Sequence, residues 1–459
     1  MVPLIGSGAG SGARAPAGAP ARPQKALRSP EDRLKEATGL AEAIRLNVVE
    51  AQNVNVPKPR AGTLFGRGKV DELATLIAAN EIALVVIDAQ LSPVQQRNLE
   101  RAWQAKVIDR TGLILEIFSA RARTSEGRLQ VELAHLTYQR GRLVRSWTHL
   151  ERQRGGAGFL GGPGERQIEL DRRLLQTRID NIRKELESVI KTRALHRAGR
   201  RRMPYPIVAL VGYTNAGKST LFNRLTGAEV HAEDQVFATL DPTMRELALP
   251  SGRRVILSDT VGFISDLPTT LIAAFRATLE EVVEADIVLH VRDIAHPYSA
   301  AQRDDVVNVL ETIGISAAPQ TAPPHDEGRG LMLEVWNKLD LLAPDESEAR
   351  LARAQREVPA TVALSAITGE GCPELLARLD AALALHDEVY RVDVPSSEGA
   401  LLHWLHQNSE VLARDPHDDG ASLAVTVRID GAKVGRLVAR CRAVGVAPSP
   451  VGAHAQNTL

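Results

Sequence analysis

Residues 212–219 run Gly212, Tyr213, Thr214, Asn215, Ala216, Gly217, Lys218 and Ser219, and they follow an apolar stretch of Ile207, Val208, Ala209, Leu210 and Val211. The glycines let the backbone curl so that successive N–H groups point inward at a phosphate. Leu221, Phe222 and Leu225 predict a helix directly afterwards, whose N-terminal end adds positive potential at the same place. Strand, glycine-rich turn and helix together form the context in which this spacing cradles phosphates. Lys218 is then set to reach the β- and γ-phosphates, and the Ser219 hydroxyl to ligate Mg2+.

Further stretches narrow the ligand to a guanine nucleotide. Asp259, Thr260, Val261 and Gly262 follow the apolar Val255, Ile256 and Leu257. An Asp at that strand end can hold Mg2+ through a water, and Gly262 lets its N–H approach a γ-phosphate. Asn337, Lys338, Leu339 and Asp340 also end a strand. Asp340, read as a buried carboxylate, can accept the N1–H and exocyclic N2–H2 of guanine, a donor pair that adenine lacks. Lys338 can lay its stem along the purine face. Ser365, Ala366 and Ile367, at the next strand end, can present a backbone N–H to guanine O6.

Between the phosphate loop and Asp259 lie Phe237, Ala238, Thr239, Leu240, Asp241, Pro242 and Thr243. One threonine here can complete the Mg2+ shell in the GTP state, and Thr239 is preferred to Thr243. Lys218, Thr239 and Gly262 are therefore the expected catalytic set, and Ser219 and Thr239 the expected metal ligands. The residue after Gly262 is Phe263, where many GTPases carry a water-orienting Gln. A phenyl ring has no hydrogen-bonding group. GTP hydrolysis is thus expected to be slow unless a partner reorders this segment or supplies a polar group.

Elements must hold these residues at strand ends. Over 203–386, strands are expected at 207–211, 254–257, 287–291, 331–336 and 360–364, with helices between most of them. That alternation is a doubly wound, mostly parallel sheet with ligands at the C-terminal strand ends. Before it, 29–120 reads as a small α/β domain: a helix over 32–45, a helix over 71–79, strands at 83–88 and 106–109, and a helix from Pro93 to Trp103. Residues 62–69 of that domain are glycine-rich, but the spacing misses a phosphate loop and Val70 stands where a hydroxyl is needed, so a structural turn is expected. Residues 1–28 are rich in Gly, Ala and Pro and are read as a disordered tail. Over 387–459 a small α+β segment is expected, with a helix over 397–411, a strand over 422–429 and a loose end from Ala447. The 316–329 stretch reads as an irregular loop.

Residues 121–202 are the one strongly charged region. They hold 20 Lys and Arg against 9 Asp and Glu, while the whole chain carries 56 of each. Leu129, Leu133, Leu136, Leu143, Trp147 and Leu150 form one heptad-like seam, and Ile168, Leu175, Ile179, Ile182, Leu186 and Val189 a second. Glycines crowd the stretch between them. An antiparallel helical hairpin with a glycine-rich tip results, bearing Arg140, Arg142, Arg145, Arg152, Arg154, Arg166, Arg172, Arg173 and one tip aromatic, Phe159. Such a surface suits folded RNA, whereas the blander reading is a solvated coiled coil. No apolar run approaches a membrane span, which needs about 20 residues. Two cysteines without metal spacing, Cys372 and Cys441, fit a reducing compartment, so a soluble cytoplasmic protein is expected.

The stretches GYTNAGKSTLFN, FATLDPT, DTVGFI, NKLD and SAITGEG resemble the translation-factor-related P-loop GTPases, and within them the HflX family. Residues 62–70, 158–165 and 167–173 carry the same likeness, which spans about residues 30–385. The resemblance implies a ribosome-associated GTPase that binds GTP and GDP with Mg2+, engages the large ribosomal subunit and its rRNA, and splits or rescues stalled ribosomes. It also implies an N-terminal domain linked to ATP and RNA remodelling. A monomer is expected. Two other readings stay open: a nucleotide-gated switch for a protein partner, and an ATP-linked RNA remodeller acting through the N-terminal domain. Deleting residues 155–164 is expected to spare GTP binding and to abolish activation by ribosomes. Equal activation in a turnover assay after the deletion would place the contact elsewhere.

Overall fold

The computed structural model describes residues 2–5, 29–153, 163–200, 205–228, 237, 239–240, 242–265, 276–315, 331–354, 361–384, 387–417 and 421–451. The glycine-rich tip at 154–162, the loop at 316–329, Ala238 and Asp241 lie outside them.

The N-terminal part begins its first helix, α1 (Pro30–Glu42), at Ser29, whose hydroxyl accepts the Asp32 N–H. Proline at the first helical position loses nothing, because that N–H has no helical acceptor. Then follow β2 (Asn53–Val56), α2 (Arg67–Ala79), β3 (Leu84–Ile87), α3 (Pro93–Trp103), β4 (Lys106–Asp109) and α4 (Arg110–Arg121). Strands β3 and β4 pair in parallel over a core of Val54, Phe65, Leu73, Ile87, Leu99, Trp103 and Val107. Residues 62–66 form a packed turn, in which Leu64 takes a left-handed φ of 65°, Phe65 is buried near Trp103 and Gly66 caps α2, and residues 67–69 already belong to that helix.

One expectation for this part is corrected. Strand β1 (Val2–Ile5) pairs in parallel with β2, inside the stretch read as a loose tail. Val2, Leu4 and Ile5 are a short apolar run that can cover the β2 edge, and averaging over the Gly- and Ala-rich residues behind it hides that.

Helices α5 (Ser125–Gln153) and α6 (Pro163–Arg200) form the hairpin. Arg140 donates to Gln176, and Arg178 pairs with Glu132, so higher numbers on one helix meet lower numbers on the other, as antiparallel helices require. Ile179, Ile182 and Leu186 are buried along the expected α6 seam. Among the described side chains of α5 the buried apolar positions are instead Val131 and Ala134, which join a cluster with α4, while Leu129, Leu133 and Leu136 are half-buried; Leu143, Trp147 and Leu150 lie outside them. A helix with apolar neighbours on two sides cannot be read from one seam.

The third part holds a six-stranded sheet in the order β10-β9-β8-β5-β7-β6. Its strands are β5 (Ile207–Gly212), β6 (Thr243–Ala248), β7 (Arg254–Asp259), β8 (Ile287–Asp293), β9 (Leu331–Asn337) and β10 (Val362–Ala363). All pairings are parallel except that of β6 with β7. Strand β6 is an exposed edge whose Arg245 and Glu246 mask any apolar alternation, and it was not expected from sequence. Helix α7 (Lys218–Thr226) and the helix Cys372–Ala384 cover one face through Leu221, Phe222, Leu375 and Leu379. The other face shares one continuous core with α1, α4 and α5, in which Leu115, Ile114 and Phe118 meet Val211, Phe263 and Val288.

The last part is a four-stranded antiparallel sheet, β12-β13-β11-β14, with helices Gly399–Asn408 and Gly431–Ala443 packed on it. The helix expected over 397–411 stops at Asn408. Glu410 and Val411 open β12 (Glu410–Pro416), where Glu410 pairs with Arg428 of β13 (Ser422–Asp430). The end is likewise more ordered than expected, since β14 (Ser449–Pro450) pairs with β11 (Asp387–Pro395).

His290 on β8 sits in the dry interior, with Nδ1 lacking a hydrogen-bond partner among the described residues. Burial holds the imidazole neutral down to about 3, against the pull of Glu334 and with the help of Arg292, Arg303 and Lys218. A folded-state pKa below the unfolded one means that the unfolded chain takes up the proton first as pH falls. Stability is therefore expected to drop from about pH 6.5 towards 3. In denaturant titrations His290→Phe should lose less stability over that window than the parent chain.

Candidate functional site

The site collects at the C-terminal ends of β5, β7, β9 and β10. Strand β5 runs into the 212–219 turn, which needs left-handed backbone at Gly217, with φ 88°. Any Cβ there would stand 2.2 Å from Nδ2 of Asn337, so only glycine fits. Asn337 is the strut of the site. Its Nδ2 donates to the Ala216 carbonyl at 2.9 Å, and its Oδ1 accepts the Ala366 N–H at 2.9 Å. One side chain thus ties the phosphate-loop candidate to the loop of Ser365, Ala366 and Ile367. Arg224, at the end of α7, holds the same loop by donating to the carbonyls of Ala366 and Ile367.

Lys218 opens α7 and is buried. Its Nζ donates to the carbonyls of Tyr213 at 2.9 Å and Gly212 at 3.3 Å. Burial pulls the ammonium down to about 8, and the Asp259 carboxylate opposes that pull. Asp259 ends β7 with no exposed surface. Burial pushes its carboxyl up, while the Ser219 hydrogen bond, the Lys218 charge, the Thr239 hydrogen bond and the Thr260 N–H hold it down.

Three oxygens meet here. The Ser219 hydroxyl donates to Asp259 Oδ2 at 2.6 Å, the Thr239 hydroxyl reaches the same oxygen at 2.9 Å, and the two hydroxyls lie 2.9 Å apart. Thr243, the other candidate, opens β6 instead. Thr260 turns away and donates to the Leu210 carbonyl at 2.5 Å.

Gly262 lies against the phosphate-loop candidate. A Cβ there would come within 2.9 Å of Thr214 Cα and 3.0 Å of Lys218 Nζ. The Phe263 N–H donates to the Gly212 carbonyl at 3.0 Å, and the Thr214 N–H to the Phe263 carbonyl at 2.7 Å. The Phe263 ring is buried in the core shared with the N-terminal part. Val261, Leu240 and Phe237 are buried in that core as well, as are Ala216 and Leu339 elsewhere in the site. Asn215 takes a left-handed φ of 59° within the turn.

The base-side candidates lie at the surface lip. Lys338, with φ 71°, pairs its ammonium with Asp293 at 2.9 Å, which fixes its stem. Asp340 is exposed, not buried as expected, because it sits in the short 3-10 turn Leu339–Leu341. One of its oxygens accepts the Ser365 hydroxyl at 2.5 Å. Ile367 is exposed, and the Ala366 N–H is already used by Asn337. Of the predicted nucleotide-site residues, only Ala238 and Asp241 fall outside the described ones. Sequence reasoning missed Arg224, Tyr213 Oη, Glu36, Arg110 and Ser265. The pull of Arg224 is legible only as a cation in the last turn of α7.

Of the described hairpin arginines counted as an RNA surface, three have protein partners. Arg142 pairs with Asp109 at 3.0 Å, Arg140 donates to Gln176, and Arg173 pairs with Glu169 one turn away. Arg172 is exposed. The side chains of Arg145, Arg152, Arg154 and Arg166 lie outside the described residues.

Fold and site together define a P-loop GTPase. Four family models match: "GTP-binding GTPase N-terminal" over 31–119, "GTP-binding GTPase Middle Region" over 121–200, "50S ribosome-binding GTPase" over 207–321 and "HflX C-terminal domain" over 350–449. The GTPase HflX of Magnetococcus marinus is 49% identical over 414 residues, covering 90% of this chain and 91% of that protein. The GTPase HflX of Escherichia coli is 43% identical over 396 residues, covering 86% and 89%. A crystal structure of a GTP-binding protein from Sulfolobus solfataricus in complex with GDP is 23% identical, covers 77% of this chain and 96% of that chain, and has a TM-score of 0.41. The chain belongs to the HflX family: it binds guanine nucleotides and hydrolyses GTP. The match also takes in the C-terminal segment, which motif reading left unassigned.

Asn337→Ala is expected to weaken GTP and GDP together by about tenfold to a hundredfold, the effect of losing two buried hydrogen bonds. Fluorescent-nucleotide titration checks it. A loss confined to one nucleotide would contradict the strut role.

Proposed function

We propose that this chain is a slow GTPase that the large ribosomal subunit switches on through the hairpin, and that it splits or rescues stalled ribosomes. The observation that carries the reading is Phe263. It follows Gly262 directly, offers no hydrogen-bonding group, and is 5% exposed within the core. Nothing at that position can orient a water, so a partner must move the segment or bring a polar group. The basic composition of 121–202 supports an RNA-rich partner, and so does the printed description of the matched family model, a 50S ribosome-binding GTPase.

In this reading residues 212–219 hold the phosphates, and Asn337, Lys338, Asp340 and the Ser365–Ile367 loop hold guanine. Ser219 Oγ, Thr239 Oγ1 and Asp259 form a set of hard oxygen donors, and Asp259 Oδ1 is buried without a hydrogen-bond partner among the described residues. That set fits Mg2+, which when bound neutralises phosphate charge. Ser219 and Thr239 would ligate it directly. Lys218 brings a partly desolvated cation to the β- and γ-oxygens, where it acts more strongly than in water. Gly262 allows its N–H close approach to the γ-phosphate. The described residues contain no helix long and apolar enough to cross a membrane, and the reading places the chain in the cytoplasm as a monomer.

GTP turnover measured with and without purified large ribosomal subunits tests the reading. The expected result is stimulation of at least about tenfold. Fast turnover in isolation that subunits leave unchanged would sink it.

A further inference from the structure

Helix α4 reaches two segments of the nucleotide site from outside the GTPase domain. Near its end, Phe118 is fully buried and meets Phe237 edge-on, with ring centroids 4.9 Å apart and planes at 84°. Phe237 stands two residues before Thr239 and holds a left-handed φ of 57°, a conformation an aromatic residue keeps only when its surroundings impose it.

At the other end of α4, about 12 Å along the axis, Arg110 Nη2 donates to the Ser265 carbonyl at 3.1 Å and hydroxyl at 3.0 Å. Ser265 stands three residues after Gly262. Glu36 of α1 completes a ring of contacts. It pairs with Arg110, accepts the Ser265 hydroxyl at 2.9 Å, and accepts the Tyr213 hydroxyl at 2.7 Å. Tyr213 Oη in turn accepts the Ser265 N–H at 2.9 Å. Asp88 anchors Arg110 from the loop after β3. The hairpin is fastened to the same helix. Asp109, the residue that caps α4, accepts the Tyr138 hydroxyl at 2.6 Å and pairs with Arg142, both on α5.

We propose that α4 is a positioning element for the triphosphate state: Phe118 sets Thr239 against Ser219 and Asp259, and Arg110 with Glu36 sets Gly262 against the phosphate loop. Phe118, Arg110 and Glu36 act through Phe237, Ser265 and Tyr213. The proposal rests on reading Thr239 and Gly262 as the groups that face the γ-phosphate. Both ends belong to one rigid helix, so a shift at the hairpin base is felt at both segments together.

The test compares affinities of the full-length chain for a non-hydrolysable GTP analogue and for GDP. Phe118→Leu keeps the core filled but removes the ring edge. Removing Arg110 would leave the buried Asp88 with Arg33 alone, at 3.3 Å, so the second variant is Glu36→Gln combined with Ser265→Ala, which breaks the ring and keeps the Arg110–Asp88 pair. Each is expected to lower the ratio of analogue to GDP affinity by about tenfold, with GDP affinity within about twofold of the parent. A loss of packing alone would weaken both nucleotides in parallel. Thr239→Ala is run alongside. If it lowers the ratio while the α4 variants shift both affinities equally, or neither, the positioning role is overturned and the site reading stands. If Thr239→Ala also leaves the ratio unchanged, both fall.

Discussion

A buried ammonium sets the terms for the rest of the molecule. Lys218 is 6% exposed; its ammonium donates to two backbone carbonyls and feels the Asp259 carboxylate. A cation out of water is costly unless its surroundings repay it. The turn that curls around it, the glycines at 217 and 262 that let other backbone close in, and the carboxylate at the end of β7 all serve that charge. In the proposed reading a polyphosphate completes the compensation, so that binding and catalysis draw on the same few side chains. The oxygen cluster of Ser219, Thr239 and Asp259 extends the arrangement by one more charge of opposite need.

The GTPase sheet does not end at its own helices. One of its faces is sealed by α1, α4 and α5, so that residues from 40 to 332 share a single apolar core. The polar contacts of Arg110, Glu36, Tyr213 and Ser265 sit at the edge of that core beside the site. A domain added in front of a GTPase is usually pictured as a separate tool. Here it forms part of the wall of the candidate nucleotide site, and the base of the basic hairpin is bonded to that same wall.

The motif residues were legible because each obeys a local rule: a glycine where φ is positive, a hydroxyl next to a lysine, a carboxylate at a strand end. Thr239, preferred to Thr243 in the sequence, lies beside Ser219 and Asp259, whereas Thr243 opens β6. What escaped reading was set by partners far away in the chain. Tyr213 and Glu36 are 177 residues apart, and Ser265 and Glu36 are 229 apart, so no pattern on one stretch announces the other. Charge counting misled for a related reason. It registers Arg142 as a surface cation, but cannot see Asp109 beneath it. Strand β6 hid behind its charged edge, and Asp340 looked buried only because its role was imagined with a base already in place.

Activation by the large ribosomal subunit, as proposed, requires that the GTP-bound chain engage that subunit. Sedimentation of the full-length chain with separated subunits, bound to a GTP analogue or to GDP and repeated over a salt series, tests it most directly. The account predicts pelleting with the large subunit in the analogue-bound state, loss of that pelleting with GDP, and a steep fall with salt. Pelleting that ignores the nucleotide, or that follows the small subunit, would contradict it.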